Sequence, residues 1–120
     1  MIDGVGVDII ETERIGRAIE NPRFVARVFT PHEAEDCSTR GRADQRFAGR
    51  FAAKEAIIKA FGRRFPWQEM EIRNGARGEP YAVLSGSALE YLGGRRLLIS
   101  ISHCHAYSVA QAILVTEESP

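Results

Sequence analysis

The stretch RFAGRFAAKEAIIKAFG, residues 46–62, is the strongest helical signal in the chain and decides the fold. The helix is predicted to begin near Ala43 and to end at Gly62, because glycine is favoured just beyond a helix C-terminus. At about 100° per residue, one arc of this helix collects its large apolar side chains. Four residues share the arc: Phe47, Phe51, Ile58 and Phe61. This arc is the predicted core face.

Three charged residues of the same helix are of chemical interest. Glu55 and Lys59 form an i, i+4 pair beside Ala48 and Ala52, whose small side chains leave room for a bound metal ion and phosphate. The pair is also compatible with a plain surface ion pair that contributes roughly 0.3 kcal/mol. Lys54 projects into the apolar arc, so it must either reach solvent or meet a partner.

The residues before this helix predict one strand and a series of short helices. Asn21-Pro22 breaks the helical pattern, and TPHE, residues 30–33, is a capping box with a proline in the first turn. A loop is expected over 38–43. The predicted strand covers 2–10, and the helical segments cover 12–20, 24–29 and 31–37.

The residues after the helix are mainly strand-forming. A hairpin is expected around the turn NGARGE, residues 74–79. The predicted strands cover 69–73, 80–84, 97–102 and 107–115, with a short helix over 85–92. Helices in the first half and strands in the second predict an α+β fold, in which a mainly antiparallel sheet packs against the long central helix. No repeat or linker interrupts it, so residues 1–120 are expected to form one domain.

Two further segments carry candidate site residues. Asp8 ends a buried-looking first strand, where an unpaired carboxylate is costly. Asp8 and Glu55 could together hold Mg²⁺, which takes one or two protein carboxylates plus water and substrate phosphate. His103 lies in SISHCH, residues 100–105. It could bind phosphate, act as a base or be structural, whereas zinc would require further ligands that the sequence does not supply.

Composition narrows the choice of partner and compartment. The net charge is zero, yet residues 40–64 contain eight basic and two acidic residues, which indicates an anionic ligand. A non-catalytic domain that binds anions or nucleic acid remains an alternative, although a pI near 6.8 is low for a nucleic-acid binder. The two cysteines form no paired motif, and neither a secretory signal nor an apolar run of about 18 residues is present. A cytoplasmic protein without a membrane partner is expected.

Taken together, five segments resemble the holo-[acyl carrier protein] synthases, the small bacterial type of 4′-phosphopantetheinyl transferase. The most specific of them is the helix motif, and the resemblance covers nearly the whole chain in the expected order. The matching segments are GVGVDIIETERI (4–15), FVARVFTPHE (24–33), RFAGRFAAKEAIIKAFG (46–62), GEPY (78–81) and ISISHCHAYSVAQAIL (99–114).

The resemblance implies a homotrimer with active sites at the subunit interfaces, and the transfer of phosphopantetheine from coenzyme A to a carrier-protein serine. Asp8 and Glu55 would bind Mg²⁺, and Lys59 would contact the coenzyme A phosphates. Arg50 and His103 would bind the nucleotide end with its 3′-phosphate, and Gly78 and Pro80 would line the adenine pocket. The acidic carrier protein would dock on four arginines: Arg14, Arg17, Arg23 and Arg27.

The general base and the carrier protein each have two candidates, and one turn residue departs from the family pattern. The general base is either Glu55, acting through a water molecule, or His103. The carrier is expected to belong to fatty-acid synthesis, with a polyketide carrier as the alternative. Glu79 stands where the family often has lysine, so its side chain is expected to point away from the anionic ligand.

Overall fold

The computed structural model describes residues 1–117. No helix in this part of the chain combines the length and apolar character that crossing a membrane requires. A 3₁₀ turn at Trp67–Glu69 precedes the first strand of the hairpin. The strands are β1 (Ile2–Glu11), β2 (Met70–Asn74), β3 (Pro80–Leu84), β4 (Arg96–His103) and β5 (Tyr107–Val115), and the helices are α1 (Thr12–Ala18), α2 (Pro22–Val28), α3 (Pro31–Thr39), α4 (Ala43–Phe61) and α5 (Gly86–Leu92).

The strands form two antiparallel sheets. β5 lies between β1 and β4 in a three-stranded sheet, and β2 pairs with β3 in the predicted hairpin. Asp8 of β1, Ala110 of β5 and Ile101 of β4 lie in one row across the larger sheet. Helix α4 packs on one face of this sheet, which confirms the predicted α+β class and the central position of the helix.

β1 approaches α4 so closely that only glycine fits at the contact. A β-carbon on Gly4 would collide with the carbonyl oxygen of Ala60, and one on Gly6 with that of Ala56. Two residues along a strand and four along a helix both advance about 6–7 Å, so the glycine and alanine spacings match. Ala48 and Ala52, earlier in the helix, are also completely buried by the protein itself, so the prediction of space for a ligand beside them is wrong.

The short helices begin at capping residues and differ in length from the prediction. Asn21 caps α2 by accepting a hydrogen bond from the Arg23 backbone N–H at 3.0 Å, so α2 begins at Pro22 instead of Phe24. The capping box of α3 is confirmed, with Thr30 and Glu33 bonded reciprocally at 2.9 and 3.2 Å. α1 ends two residues before the predicted Glu20, and α3 continues to Thr39, which shortens the loop to residues 40–42.

Lys54 meets a buried partner, the second of the two outcomes predicted for it. Both Lys54 and Glu33 are fully buried, and the Lys54 ammonium donates to Glu33 Oε1 at 2.6 Å. It also donates to the carbonyl oxygens of Val28 at 2.7 Å and Trp67 at 3.2 Å. Burial lowers the pKa of Lys54, although the adjacent Glu33 opposes this change. The remaining oxygen of Glu33 accepts from the Ile72 N–H at 2.8 Å, so this pair ties α4 to α3 and β2.

Candidate functional site

The first cluster of predicted site residues lies where β1 meets α4. Asp8 shares the helix-facing side of β1 with Gly4 and Gly6, because alternate strand residues point to one face. Lys59 reaches across from α4, with its ammonium 3.2 Å from Asp8 Oδ1 and 3.0 Å from the Val7 carbonyl oxygen. The structure thus pairs Lys59 with Asp8 of β1 instead of the i, i+4 partner Glu55 considered from the sequence.

Glu55 stands one helical turn before Lys59 and is paired with a different cation. Arg64 NH1 lies 3.8 Å from Glu55 Oε1. The side chains of Asp8 and Glu55 are 16% and 18% exposed, so both carboxylates are largely shielded yet still reachable from solvent. Each carboxylate has one cationic partner, which makes the cluster electrically neutral.

The donor set of this cluster fits a hard divalent cation. Asp8 and Glu55 supply carboxylate oxygens, the ligands that Mg²⁺ prefers, and this ion commonly takes one or two protein carboxylates. Within residues 1–117, no group of three or more histidine, cysteine, aspartate or glutamate side chains could hold a metal ion. An ion bound here would therefore complete its shell with water and substrate oxygens.

The second cluster surrounds a basic cavity of about 240 Å³ near the N-terminal half of α4. His103 contributes to it from the end of β4, and Arg50 from α4. The other polar lining residues are Arg42, Gln45, Arg46 and Asn74. Three arginines around one cavity provide positive charge for an anion such as a phosphate, and two of them, Arg42 and Arg50, also have the carboxylate partners Asp44 and Asp36.

Arg50 also connects this cavity to the hairpin turn. Its guanidinium donates to Asp36 Oδ2 at 2.6 Å, to Asn74 Oδ1 at 3.0 Å and to the Ile72 carbonyl oxygen at 3.2 Å. The Asn74 amide in turn donates to the Gly78 carbonyl oxygen at 2.9 Å. Gly78 adopts φ 84°, a conformation that favours glycine, directly before the segment that leads to Pro80. Two of the predicted nucleotide-binding residues, Arg50 and Gly78, are thus joined through Asn74.

The two clusters lie on different sides of α4. Arg46 and Glu55 are nine residues apart, which places them about 180° apart around the helix. Asp8 lies on β1 and His103 on β4, and these strands are the two edges of the larger sheet. The single chain therefore does not bring Asp8 and Glu55 to the same point as Arg50 and His103.

Glu79 is exposed and folds back over its own turn. Its carboxylate accepts a hydrogen bond from the Arg77 backbone N–H at 3.0 Å and lies against Gly75. This geometry satisfies the carboxylate locally, which is compatible with an anionic ligand near Gly78.

The four predicted docking arginines are all exposed. Arg14 and Arg17 lie on α1, whereas Arg23 and Arg27 are one turn apart on α2. Arg17 donates to Glu13 at 2.9 Å in a solvent-exposed pair. An apolar groove of about 550 Å³ beside these helices was not predicted; it is lined by Ile19, Pro22, Val25, Ala26, Phe29, Pro31, Ala34 and Gln68.

Sequence reasoning missed several members of the two clusters. Arg42 and Arg46 precede Arg50 at successive spacings of four, so helical periodicity could have indicated a shared cationic side. Arg64 and Asn74 gave no such signal, because each reaches its cluster from outside the helix. Arg64 does so after a reversal of the chain, and Asn74 from the hairpin.

The chain is similar to one family of known proteins in both sequence and structure. Residues 4–112 match the family model of the 4′-phosphopantetheinyl transferase superfamily. The holo-[acyl-carrier-protein] synthase of Protochlamydia amoebophila is 46% identical over 116 residues, which cover 92% of this chain and 95% of that protein. The crystal structure of the Bacillus anthracis holo-(acyl-carrier-protein) synthase in complex with CoA (3′,5′-ADP) superposes with a TM-score of 0.83 at 34% identity, covering 98% and 99% of the two chains. The Neisseria meningitidis holo-[acyl-carrier-protein] synthase gives a TM-score of 0.87 at 30% identity, covering 97% and 100%.

Proposed function

The chain belongs to the 4′-phosphopantetheinyl transferase superfamily, and from this premise we propose that it transfers phosphopantetheine from coenzyme A to an apo acyl carrier protein. The observation that carries the proposal is the half-buried cluster of Asp8, Glu55 and Lys59 at the contact of β1 with α4. A cluster of two carboxylates and an ammonium suits charge neutralisation at a pyrophosphate. A domain that merely bound anions or nucleic acid would have no need of the carboxylates.

The reaction forms one bond and breaks one bond. The serine hydroxyl oxygen of the carrier bonds to the phosphorus that bears the pantetheine arm, and the bond from this phosphorus to the bridging oxygen breaks. The electron pair leaves with 3′,5′-ADP. Lys59 stabilises the charge on the phosphate oxygens, and Glu55 is the group of this cluster that can orient a water molecule to take the serine proton. His103 lies at the other cluster and binds the nucleotide end.

Asp8 and Glu55 are the residues that would hold Mg²⁺. When bound, the ion supplies Lewis-acid polarisation of the phosphate oxygens and offsets charge on the leaving group. The chain must also hold Glu55 and Lys59 in position. The buried Lys54–Glu33 pair is suited to this, because it fixes the helix α4 that carries both residues.

The active site is proposed to form between subunits of a homotrimer. One subunit supplies Asp8, Glu55 and Lys59, and its neighbour supplies the Arg50 and His103 cavity with the turn at Gly78 and Pro80. The support is that these two sets lie on opposite sides of α4 in one chain, while one coenzyme A molecule must meet both.

An exposed apolar surface offers the contact that such a trimer requires. On the face of the larger sheet opposite to α4, Val5, Val7 and Ile9 of β1 are 54%, 56% and 63% exposed. Leu98 of β4 lies in the same row as Val5, across Ile113 of β5, and is 44% exposed. Contiguous apolar surface of this kind is typical of protein interfaces.

The carrier protein is proposed to dock on the exposed arginines of α1 and α2. Arg14, Arg17, Arg23 and Arg27 present positive charge that complements an acidic partner and accelerates its association. The carrier is expected to be that of fatty-acid synthesis. The single domain is proposed to act in the cytoplasm, which is compatible with its two unpaired thiols, Cys37 and Cys104.

Intact-protein mass spectrometry tests the function directly. An apo acyl carrier protein is incubated with this protein and coenzyme A, with Mg²⁺, with chelator, and with chelator followed by excess Mg²⁺. With Mg²⁺ we expect the carrier to gain the mass of one phosphopantetheine. The gain should be absent with chelator and should return when excess Mg²⁺ is added. No gain under any condition with several apo carriers would refute the proposed activity, and a gain that survives chelator would refute its dependence on a divalent ion.

Subunit complementation tests the interfacial site. Asp8→Asn and His103→Ala damage different halves of the proposed site, so each is expected to be weak alone. Mixed trimers formed by unfolding and refolding the two variants together should contain some sites with both intact halves and should recover part of the activity. Mixtures no more active than the two separate variants would argue for a site within one subunit.

A further inference from the structure

Arg64 is brought back to the first cluster by the way in which α4 ends. Gly62 adopts φ 75°, and its N–H donates to the Ile58 carbonyl oxygen at 2.9 Å. This left-handed residue terminates the helix and reverses the chain. Arg64 therefore returns along the last turns, where NH1 lies 3.8 Å from Glu55 Oε1.

The preceding arginine faces elsewhere and serves as a natural reference. The guanidinium of Arg63 lies over the rings of Phe65 and Tyr91, at 5.1 and 5.0 Å from their centroids. Arg63 and Arg64 are both exposed and carry the same charge. Only Arg64 is directed at a carboxylate of the cluster.

The charges of the cluster must rearrange when a metal ion is bound. In the free protein, Lys59 compensates Asp8 and Arg64 compensates Glu55, so the cluster is neutral. A divalent ion held by both carboxylates would take the partners of Lys59 and Arg64. These two cationic side chains would then lie unpaired beside the metal ion. The Lys59 and Arg64 side chains are 52% and 69% exposed, so both can move to a new partner. The pyrophosphate of coenzyme A supplies the negative charge that they lack.

We propose that Arg64 is a further phosphate-binding residue that exchanges partners: it neutralises Glu55 in the free protein and turns to the coenzyme A pyrophosphate once Glu55 binds the metal ion. This inference rests on the proposed function. It assigns to Arg64 two effects of opposite sign. Arg64 competes with the metal ion for Glu55 when coenzyme A is absent, and it strengthens coenzyme A binding when the metal ion is present.

The test measures binding, not turnover. Mn²⁺ serves as the probe of the metal site, and its free concentration is followed by electron paramagnetic resonance without coenzyme A. Coenzyme A affinity is measured by isothermal titration calorimetry at saturating Mg²⁺. For Arg64→Met we expect Mn²⁺ to bind about threefold more tightly, because the exposed pair of Arg64 with Glu55 is lost. We expect coenzyme A to bind about fivefold more weakly, because the exposed pair of Arg64 with the pyrophosphate is lost.

Arg63→Met is the matched control, because it removes the same charge one residue away. A long-range effect of net charge would change both affinities equally in the two variants. We expect Arg63→Met to change each affinity by less than about twofold, and Arg64→Lys to retain most of the coenzyme A affinity. Circular dichroism melting confirms that each variant is folded.

The outcomes separate this inference from the function on which it rests. A wild-type protein that binds no coenzyme A would overturn the proposed function and the inference with it. A wild-type protein that binds and transfers normally, with Arg64→Met indistinguishable from Arg63→Met, would overturn the role of Arg64 alone. Unchanged Mn²⁺ affinity in Arg64→Met would show that Arg64 does not compete for Glu55, and it would equally contradict the exchange.

Discussion

Lys54 and Lys59 lie five residues apart on α4, and each is paired with a carboxylate from another element, but their surroundings are opposite. Lys54 is fully buried and donates to three acceptors at 2.6 to 3.2 Å. Lys59 is 52% exposed, and its carboxylate partner lies 3.2 Å away. The first pair is fixed in place by the fold, whereas we propose that the second exchanges partners with a ligand. The Lys54–Glu33 pair is called the anchor below, and the proposed site of Asp8, Glu55 and Lys59 is called the reactive cluster. Helix α4 contributes to both.

The largest expected effect comes from breaking the anchor. Lys54→Met leaves the Glu33 carboxylate buried without its counterion, so we expect the free energy of unfolding to fall by about 4 kcal/mol. Urea unfolding followed by circular dichroism measures this change. Lys59→Met is the matched control on the same helix and should cost less than about 1 kcal/mol, because its pair is exposed. Similar losses in the two variants would remove the distinction between the pairs.

The second effect concerns the chemistry of the reactive cluster. Glu55→Gln keeps the size of the side chain but removes its charge, so we expect the single-turnover rate of transfer to fall at least about a hundredfold, or about 2.7 kcal/mol. Rapid quenching with mass spectrometric detection gives this rate, and urea unfolding verifies the fold. A Glu55→Gln protein with a normal rate would remove Glu55 from the reactive cluster.

A third experiment separates docking from chemistry. Arg14→Glu reverses an exposed charge on α1 that is not among the residues proposed to bind coenzyme A, so we expect the apparent KM for the carrier protein to rise about tenfold while coenzyme A affinity is retained. Steady-state kinetics with varied carrier and calorimetry with coenzyme A provide the two values. An unchanged KM for the carrier would show that α1 is not part of the docking surface.

The smallest effect is a difference in thiol reactivity that follows the same contrast. Cys37 of α3 is fully buried near the anchor, and burial raises the pKa of its thiol to about 11. Cys104 is exposed in the turn between β4 and β5. At pH 8, a maleimide should label one cysteine per native chain and two after denaturation, as counted by mass spectrometry. Peptide mapping that found the native label on Cys37 would contradict the buried position of this side chain.

Local sequence signals predicted much of the fold but little of its long-range pairing. The capping box at Thr30, the stop at Gly62 and the hairpin turn at residues 74–79 all correspond to elements of the structure, because each depends on adjacent residues. The partner of Lys54 could not be named, since Glu33 lies 21 residues earlier and looked like a capping residue alone. The central position of β5 also depends on contacts far apart in the chain.

For the candidate site, too, residues in local motifs were predicted, whereas contacts between distant segments were not. Motif resemblance selected Asp8, Glu55 and Lys59, and the structure brings Lys59 of α4 to Asp8 of β1. The prediction of free space beside Ala48 and Ala52 was wrong, because the folded chain buries both residues completely, and helical periodicity does not reveal such long-range packing. Arg64 could not be found by periodicity, since it reaches Glu55 only after the chain reverses at Gly62.

Lys59→Met provides the most direct test of the division between the two lysines. Its free energy of unfolding and its single-turnover rate of phosphopantetheine transfer are measured on one preparation. The contrast between the two pairs predicts that stability stays within about 1 kcal/mol of wild type and that the rate falls at least about a hundredfold. A variant that unfolds as readily as Lys54→Met, or that transfers at the wild-type rate, would contradict it.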